Sequence, residues 1–274
     1  MSKRIHIATI PFDAITSEGV LSFVEEHVRN EKQVYITTPN PEMVLEAQKN
    51  PEFSSILKKA SLSLPDGIGI LWASYYLSLP LPKGKIRQFA QLMGTLIDIV
   101  RNSPKIKKAL PERVTGSDTL FKIVDRAQET KWRIFLLGAR PGVANRAIHK
   151  LLEHYPKAIF AGSHSGSPEK DEESEIVEMI NRAQPDILFV AYGSPAQELW
   201  IHRNLPKLKT VKVAIGVGGA IDFAAGVKKR APRLMQKIGL EWFYRLLIQP
   251  KRIRRIYNAT FVFVRVIERC KRMA

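Results

Sequence analysis

Asp66 is the side chain whose setting most invites chemistry. It stands in Leu64-Pro65-Asp66-Gly67-Ile68-Gly69, at the end of an apolar segment. A carboxylate held there by a proline and a glycine could serve as a general base. The same position suits a cap on a helix beginning near Ile68, and spacing alone leaves both readings open. Phosphate chemistry is the second theme. Gly138-Ala139-Arg140-Pro141-Gly142 follows an apolar run and could cradle a diphosphate with backbone N–H groups at a helix start; a plain tight turn is the competing use. Neither this cluster nor Gly216-Val217-Gly218-Gly219 fits Gly-x-Gly-x-x-Gly opening from the first strand, which argues against a nicotinamide cofactor. The six histidines and one cysteine form no cluster with metal-ligand spacing, and His149 and His154, five apart, do not share a helix face. There is no Asp-x-Asp pair, no P-loop and no Gly-x-Ser-x-Gly elbow, so metal-assisted, phosphoryl-transfer and serine-hydrolase chemistries all lose support.

Those residues need a scaffold, and the chain is long enough to build one. Its 274 residues are 45% hydrophobic and 25% charged, an ordinary composition for a globular protein with a sizeable core. The lone Cys270 has no intrachain partner, which suggests a reducing, cytoplasmic compartment. The longest apolar stretch, Gly67 to Pro82, is broken by serines and prolines and is too short for a membrane span.

Apolar or β-branched runs at Ile5–Ile10, Val34–Thr37, Ile134–Leu137, Ala158–Ala161, Ile187–Ala191 and Val211–Val217 read as strands. Between them, Ser17–Arg29, Asp118–Glu129, Val143–His154 and Glu172–Ala183 read as amphipathic helices. The alternation predicts an α/β fold: a Rossmann-like, mostly parallel sheet with helices on both faces. Ligands of such sheets bind beyond the carboxyl ends of the strands, which directs attention to the loops at Thr38–Glu42, Gly138–Gly142, Gly193–Glu198 and Gly218–Asp222.

Charge divides the chain. The formal net charge is +17, and residues 228–274 hold 14 Lys/Arg against 2 acids, whereas the first 227 residues carry a net charge of only +5. We therefore expect an α/β body over 1–227, interrupted by a basic insertion at about 83–111 in which Leu92–Val100 is helical. A basic helical C-terminal appendage follows over 228–274. From Ile253 onward, Ile256, Tyr257, Phe261, Val264 and Ile267 keep helical spacing, with Arg254, Arg265, Arg269 and Arg272 on the other side. That pattern fits a membrane-surface segment or a docked helix with a solvated basic face, with a strand over the β-branched Phe261–Ile267 as the alternative left open. A basic tail seeks phosphate. Nucleic-acid binding would use the tail but would leave Asp66, Gln197-Glu198 and Asp222 unexplained, and the chain carries no nucleic-acid module.

Taken in order, several segments are together more telling than any one of them: Ile10-Pro11-Phe12-Asp13-Ala14, Thr38-Pro39-Asn40-Pro41-Glu42, Pro65-Asp66-Gly67-Ile68-Gly69, Glu112-Arg113-Val114-Thr115-Gly116-Ser117-Asp118, Gly193-Ser194-Pro195-Ala196-Gln197-Glu198, Asp222-Phe223-Ala224-Ala225-Gly226 and Gly239-Leu240-Glu241-Trp242-Phe243-Tyr244-Arg245-Leu246. Through them the chain resembles the WecG/TagA/CpsF family of bacterial glycosyltransferases over nearly its whole length.

The resemblance implies an inverting, UDP-sugar-dependent glycosyltransferase without metal or cofactor. It would move N-acetylmannosamine from UDP to N-acetylglucosamine on undecaprenyl diphosphate; siblings would use UDP-mannosaminuronic acid or UDP-glucose. It assigns Asp66 as the base and Thr38, Asn40, Arg113, Gln197 and Asp222 as substrate-binding positions. Arg245, Arg252 and Arg255 of the appendage would grip a diphosphate. It also implies a cytoplasmic protein peripheral on the inner face of the membrane, meeting an anionic lipid surface, with self-association as another use of the tail. The chain departs from the family at Ala196, where a lysine is usual, at Gln249, where an acid is common, and in the length of Lys83–Lys108.

Overall fold

Near-continuous apolar strands can be buried on both faces of a sheet, and that is how the central strands are used. In the computed structural model, which describes residues 3–228, 231–232, 235, 244, 246, 250 and 253–273, six parallel strands form one sheet in the order β4-β3-β8-β7-β5-β6. They are β3 (Val34–Thr37), β4 (Leu62–Ser63), β5 (Arg133–Gly138), β6 (Ile159–His164), β7 (Ile187–Ala191) and β8 (Val213–Gly216). Side chains alternate across the pleat. Ile36, Ile134, Leu136, Phe189 and Ile215 face one core with α1 (Ser17–Arg29), α6 (Gly116–Thr130), α7 (Val143–His154) and α10 (Ala220–Ala224). Tyr35, Phe135, Leu137, Leu188, Val190 and Ala214 face a second core against α3 (Pro51–Lys59), α8 (Glu173–Ala183) and α9 (Ala196–Asn204). The expected α/β architecture is therefore present.

Two expectations give way to the structure, and one open alternative is decided for the helical reading. Ile5–Ile10 is not one strand of the main sheet. Ala8, at φ 55°, turns the chain between β1 (Arg4–Ile7) and β2 (Ile10–Asp13), an antiparallel hairpin in its own two-stranded sheet. The helix expected over Leu92–Val100 is a longer one, α5 (Lys85–Val100), because the apolar pattern continues back through Phe89 and Ile86. Phe261–Ile267 forms no strand: α11 (Ile253–Tyr257), a π-helical turn over Asn258–Val262 and α12 (Phe263–Met273) follow one another. The π turn adds a residue to the repeat and so rephases the helix. Phe263, Ile267 and Lys271 are buried, while Tyr257 and Phe261 are exposed and stack on each other.

A third core gathers the hairpin, α2 (Pro41–Ala47), α3, α4 (Ile68–Ser78), α5 and α12. Trp72 of α4 is its hub. Its indole N–H donates to Thr95 Oγ1 of α5 at 3.1 Å, and its ring meets Phe263 of α12 edge-on. Lys271 enters the same core, donating to the Tyr76 carbonyl and sitting 4.1 Å from the centre of that ring; burial lowers its pKa.

The loop after β5 is tight for a steric reason. Gly138 has φ +97°, and a Cβ there would lie 2.8 Å from the Ala191 carbonyl carbon on β7. Gly138→Ala should lower the unfolding free energy by about 2 kcal/mol, read as a shift of the urea midpoint. An unchanged midpoint would contradict this account of the turn.

Candidate active site

Because β4, β3, β8 and β7 are adjacent, the loops leaving their carboxyl ends meet at one place. They enclose a cleft of about 780 Å³, to which Thr38, Asn40, Asp66, Gln197, Asp222 and Arg255 all contribute. Six of the nine site positions named from sequence thus come together. Arg113 is partly buried in the neighbouring loop, outside the cleft wall, where the Val114 N–H donates to the Pro65 carbonyl at 3.0 Å. Arg245 and Arg252 lie outside the described residues. The expected diphosphate cradle at Gly138–Gly142 does not line this cleft. It leaves β5, one strand beyond the four that converge, and its Ala139 N–H is used on the Ala191 carbonyl.

Backbone hydrogen bonds hold Asp66. The Leu64 N–H donates to the Thr37 carbonyl at 2.8 Å and the Asp66 N–H to the Pro39 carbonyl at 3.2 Å, which ties this segment to the loop after β3. The helix that follows starts at Ile68, and its N-cap is Gly67, at φ 102°, without a side-chain cap. Gly67, and not Asp66, thus holds the N-cap position, and the Asp66 carboxylate is half-buried on the cleft.

Asn40 does cap. Its Oδ1 accepts from the Met43 N–H at 3.1 Å at the start of α2, with Pro41 in the first helical turn. Thr38 is buried and donates to the Gly216 carbonyl at 3.1 Å, joining the ends of β3 and β8. Gln197 joins β7 to β8. Its Oε1 accepts from the N–H groups of Gly193 (3.2 Å) and Gly218 (3.0 Å), and its Nε2 donates to Glu198 Oε1 at 2.7 Å. All three polar residues fix loops as well as lining the cleft.

Three cations border the cleft, Lys49, Lys228 and Arg255, and the last two are each oriented by an acid. Lys228 pairs with Asp222, and Arg255 makes a bidentate contact with Glu42, its Nε lying 3.0 Å from Oε1. Sequence reasoning counted Lys228 only as tail charge and gave Glu42 no role. The signal for Glu42 lay in Asn40-Pro41-Glu42, a helix start that points the first turn at the loop region. Glu198 was also missed as an individual residue. It is fully buried, and burial pushes its carboxyl up to about 7, with the Gln197 amide and Ser194 hydroxyl opposing. Among the described residues no group of three His, Cys, Asp or Glu is placed to hold a metal ion.

Known proteins give this arrangement a context. The profile of the glycosyl transferase WecG/TagA/CpsF family matches residues 5–106 and 97–274. The chain is similar to the N-acetylglucosaminyldiphosphoundecaprenol N-acetyl-beta-D-mannosaminyltransferase of Bacillus spizizenii, 33% identical over 250 residues that cover 90% of this chain and 84% of the relative. The protein of that name from Bacillus subtilis is 32% identical over 94% of this chain and 88% of its own length. That from Staphylococcus aureus MRSA252 is 29% identical over 99% and 94%. With a cleft at the carboxyl ends of a parallel sheet, the motif residues converging on it, and both profile and relatives matched along nearly its full length, this chain belongs to the WecG/TagA/CpsF family of glycosyltransferases.

Proposed function

We propose that this enzyme transfers N-acetylmannosamine, with inversion, from UDP to N-acetylglucosamine carried on undecaprenyl diphosphate, a step in cell-surface polysaccharide or teichoic acid synthesis. The names of the relatives support the sugar and the acceptor. The observation that carries the mechanism is the Asp66 carboxylate, fixed by its backbone at the wall of a cleft that also holds Lys228 and Arg255. Inversion needs an acceptor hydroxyl opposite the leaving UDP and a base to take its proton as the new bond forms. Asp66 is that base. Charge develops on the departing diphosphate, and pre-oriented cations stabilise it; Lys228 and Arg255 serve here, with Arg245 and Arg252 assigned the same work. Asp222 and Asn40 contact the substrates, and Thr38 and Gln197 hold the loops that do so. The loop carrying Arg113 is tied to the Asp66 loop through the Val114 N–H on the Pro65 carbonyl, which sets Arg113 beside the cleft for substrate.

No helix among the described residues is long and apolar enough to cross a membrane. We assign the enzyme to the cytoplasmic face of the membrane as a peripheral protein, with the basic residues after 227 against anionic lipid and the lipid-linked acceptor entering from there.

A panel of UDP-sugars offered with a short-chain polyprenyl-diphosphate N-acetylglucosamine, followed by product mass, tests the reading. UDP-N-acetylmannosamine should give the product; transfer from UDP-mannosaminuronic acid or UDP-glucose instead would identify a sibling activity. Arg255→Ala should lower kcat/KM roughly tenfold while moving stability by less than about 1 kcal/mol, since the Arg255–Glu42 pair is half-exposed. An unaltered kcat/KM would remove Arg255 from the site.

A further inference from the structure

The insertion has a surface the transfer reaction does not use. Helix α5 docks through Leu92 and Thr95, both buried, and through the Thr95–Trp72 hydrogen bond. A second apolar stripe lies beside that docked face. Ile86 is 86% exposed, Phe89 62%, Ile97 49% and Val100 78%, and at 3.6 residues per turn these four fall within about 80° of arc. Residues 81–108 contain seven cations and one acid, Asp98. Lys83, Lys85 and Arg87 stand at one end of the stripe, and Arg101, Lys105, Lys107 and Lys108 at the other; all seven are exposed.

A helix with an apolar stripe open to solvent and cations at both ends is built to lie in an interface between water and an anionic apolar phase. We propose that α5 and the Lys105–Lys108 turn form a membrane-seating surface, separate from the C-terminal tail, that inserts Ile86, Phe89, Ile97 and Val100 among anionic lipids. Charge decides against a second copy of the chain as occupant. Pairing two such stripes would bring fourteen cations together, whereas an anionic leaflet neutralises them. The position also makes sense mechanically, because α5 is bolted through Trp72 to α4, whose first turn follows directly from Asp66 and Gly67. Seating α5 on lipid fixes the base relative to the bilayer. The purpose of the surface rests on the lipid-linked acceptor proposed above; its binding to lipid does not.

The test is sedimentation of the full chain with vesicles of phosphatidylcholine alone or with 30% phosphatidylglycerol. The Ile86→Ser/Phe89→Ser/Val100→Ser variant changes only exposed positions and should keep the wild-type melting temperature. Its partition onto the phosphatidylglycerol vesicles should fall at least tenfold, with turnover on a water-soluble acceptor within twofold of wild type. A second readout needs no loss of binding. A nitroxide on Phe89→Cys, in a Cys270→Ser background, should become oxygen-accessible and water-protected on those vesicles. Unchanged partition, or a label that stays in water, overturns the proposal. So does a wild-type dimer that the triple variant dissociates while vesicle binding persists. Absence of turnover with every UDP-sugar would instead sink the transferase reading and leave the vesicle result standing.

Discussion

Asp66→Asn should lower kcat by roughly 10²–10⁴-fold, the range contributed by a positioned general base, with KM for the UDP-sugar changed only a few-fold. The substitution keeps shape and removes proton affinity. The backbone of residues 64–66 is pinned by the Leu64–Thr37 and Asp66–Pro39 hydrogen bonds and by Val114 on the Pro65 carbonyl, so the amide should occupy the place of the carboxylate. The N-cap position of α4 is Gly67 and not Asp66, and the isosteric amide keeps an Oδ1 acceptor in place, so the melting temperature should move by only a few degrees. Steady-state kinetics with a short-chain acceptor separate the two parameters. Near wild-type turnover would take the proton-accepting role away from Asp66; a large loss of folding stability would mean the carboxylate serves the structure instead.

The second large effect concerns Glu198, which no exposed part of the cleft reveals. Its carboxyl is buried, and its pKa is raised from the ordinary 4.5 to about 7. Between those values the native protein keeps the proton and the unfolded chain has released it. The native state therefore binds more protons, and stability must fall as pH rises through that window. Above pH 7 the full cost is present, on the order of 3 kcal/mol at 1.36 kcal/mol per pKa unit. Glu198→Gln has no charge to bury and still offers a carbonyl to the Gln197 amide. Relative to wild type, this variant should therefore gain urea resistance between pH 5 and pH 8, and a pH-independent difference between the two would refute the burial cost. Gln197 Oε1 holds the loops at Gly193 and Gly218, so a charge arising beneath it also acts on the cleft. The Tyr35 hydroxyl on β3 feels it too, its pKa raised by burial and then by Glu198.

Much of the scaffold was legible because burial and sterics act locally. The runs at Val34–Thr37 and Ile187–Ala191 are strands as read, and Ser17–Arg29 and Val143–His154 are helices to the residue, each fixed by a periodicity that lies within its own segment. Where a signal was short or interrupted, reading failed. Two-residue β4 has no period to detect, the turn at Ala8 splits an apolar run without a glycine, and the π turn at Asn258–Val262 shifts the buried face from Phe261 to Phe263. The site was legible as motifs at one end of the sheet, and not as the particular loops that meet there.

By itself the sequence determined an α/β chain with function in its strand-end loops, a carboxylate at position 66 with two open uses, and an excess of positive charge after residue 227. Tertiary structure decided which loops meet. The pairing order β4-β3-β8-β7 brings residues 38–40, 64–66, 193–197 and 217–222 to one cleft and leaves Gly138–Gly142 outside. It also buried Glu198 and left the α5 stripe bare. Periodicity is a property of neighbours along the chain, whereas strand order and burial depend on contacts between segments far apart in sequence, which no local pattern encodes.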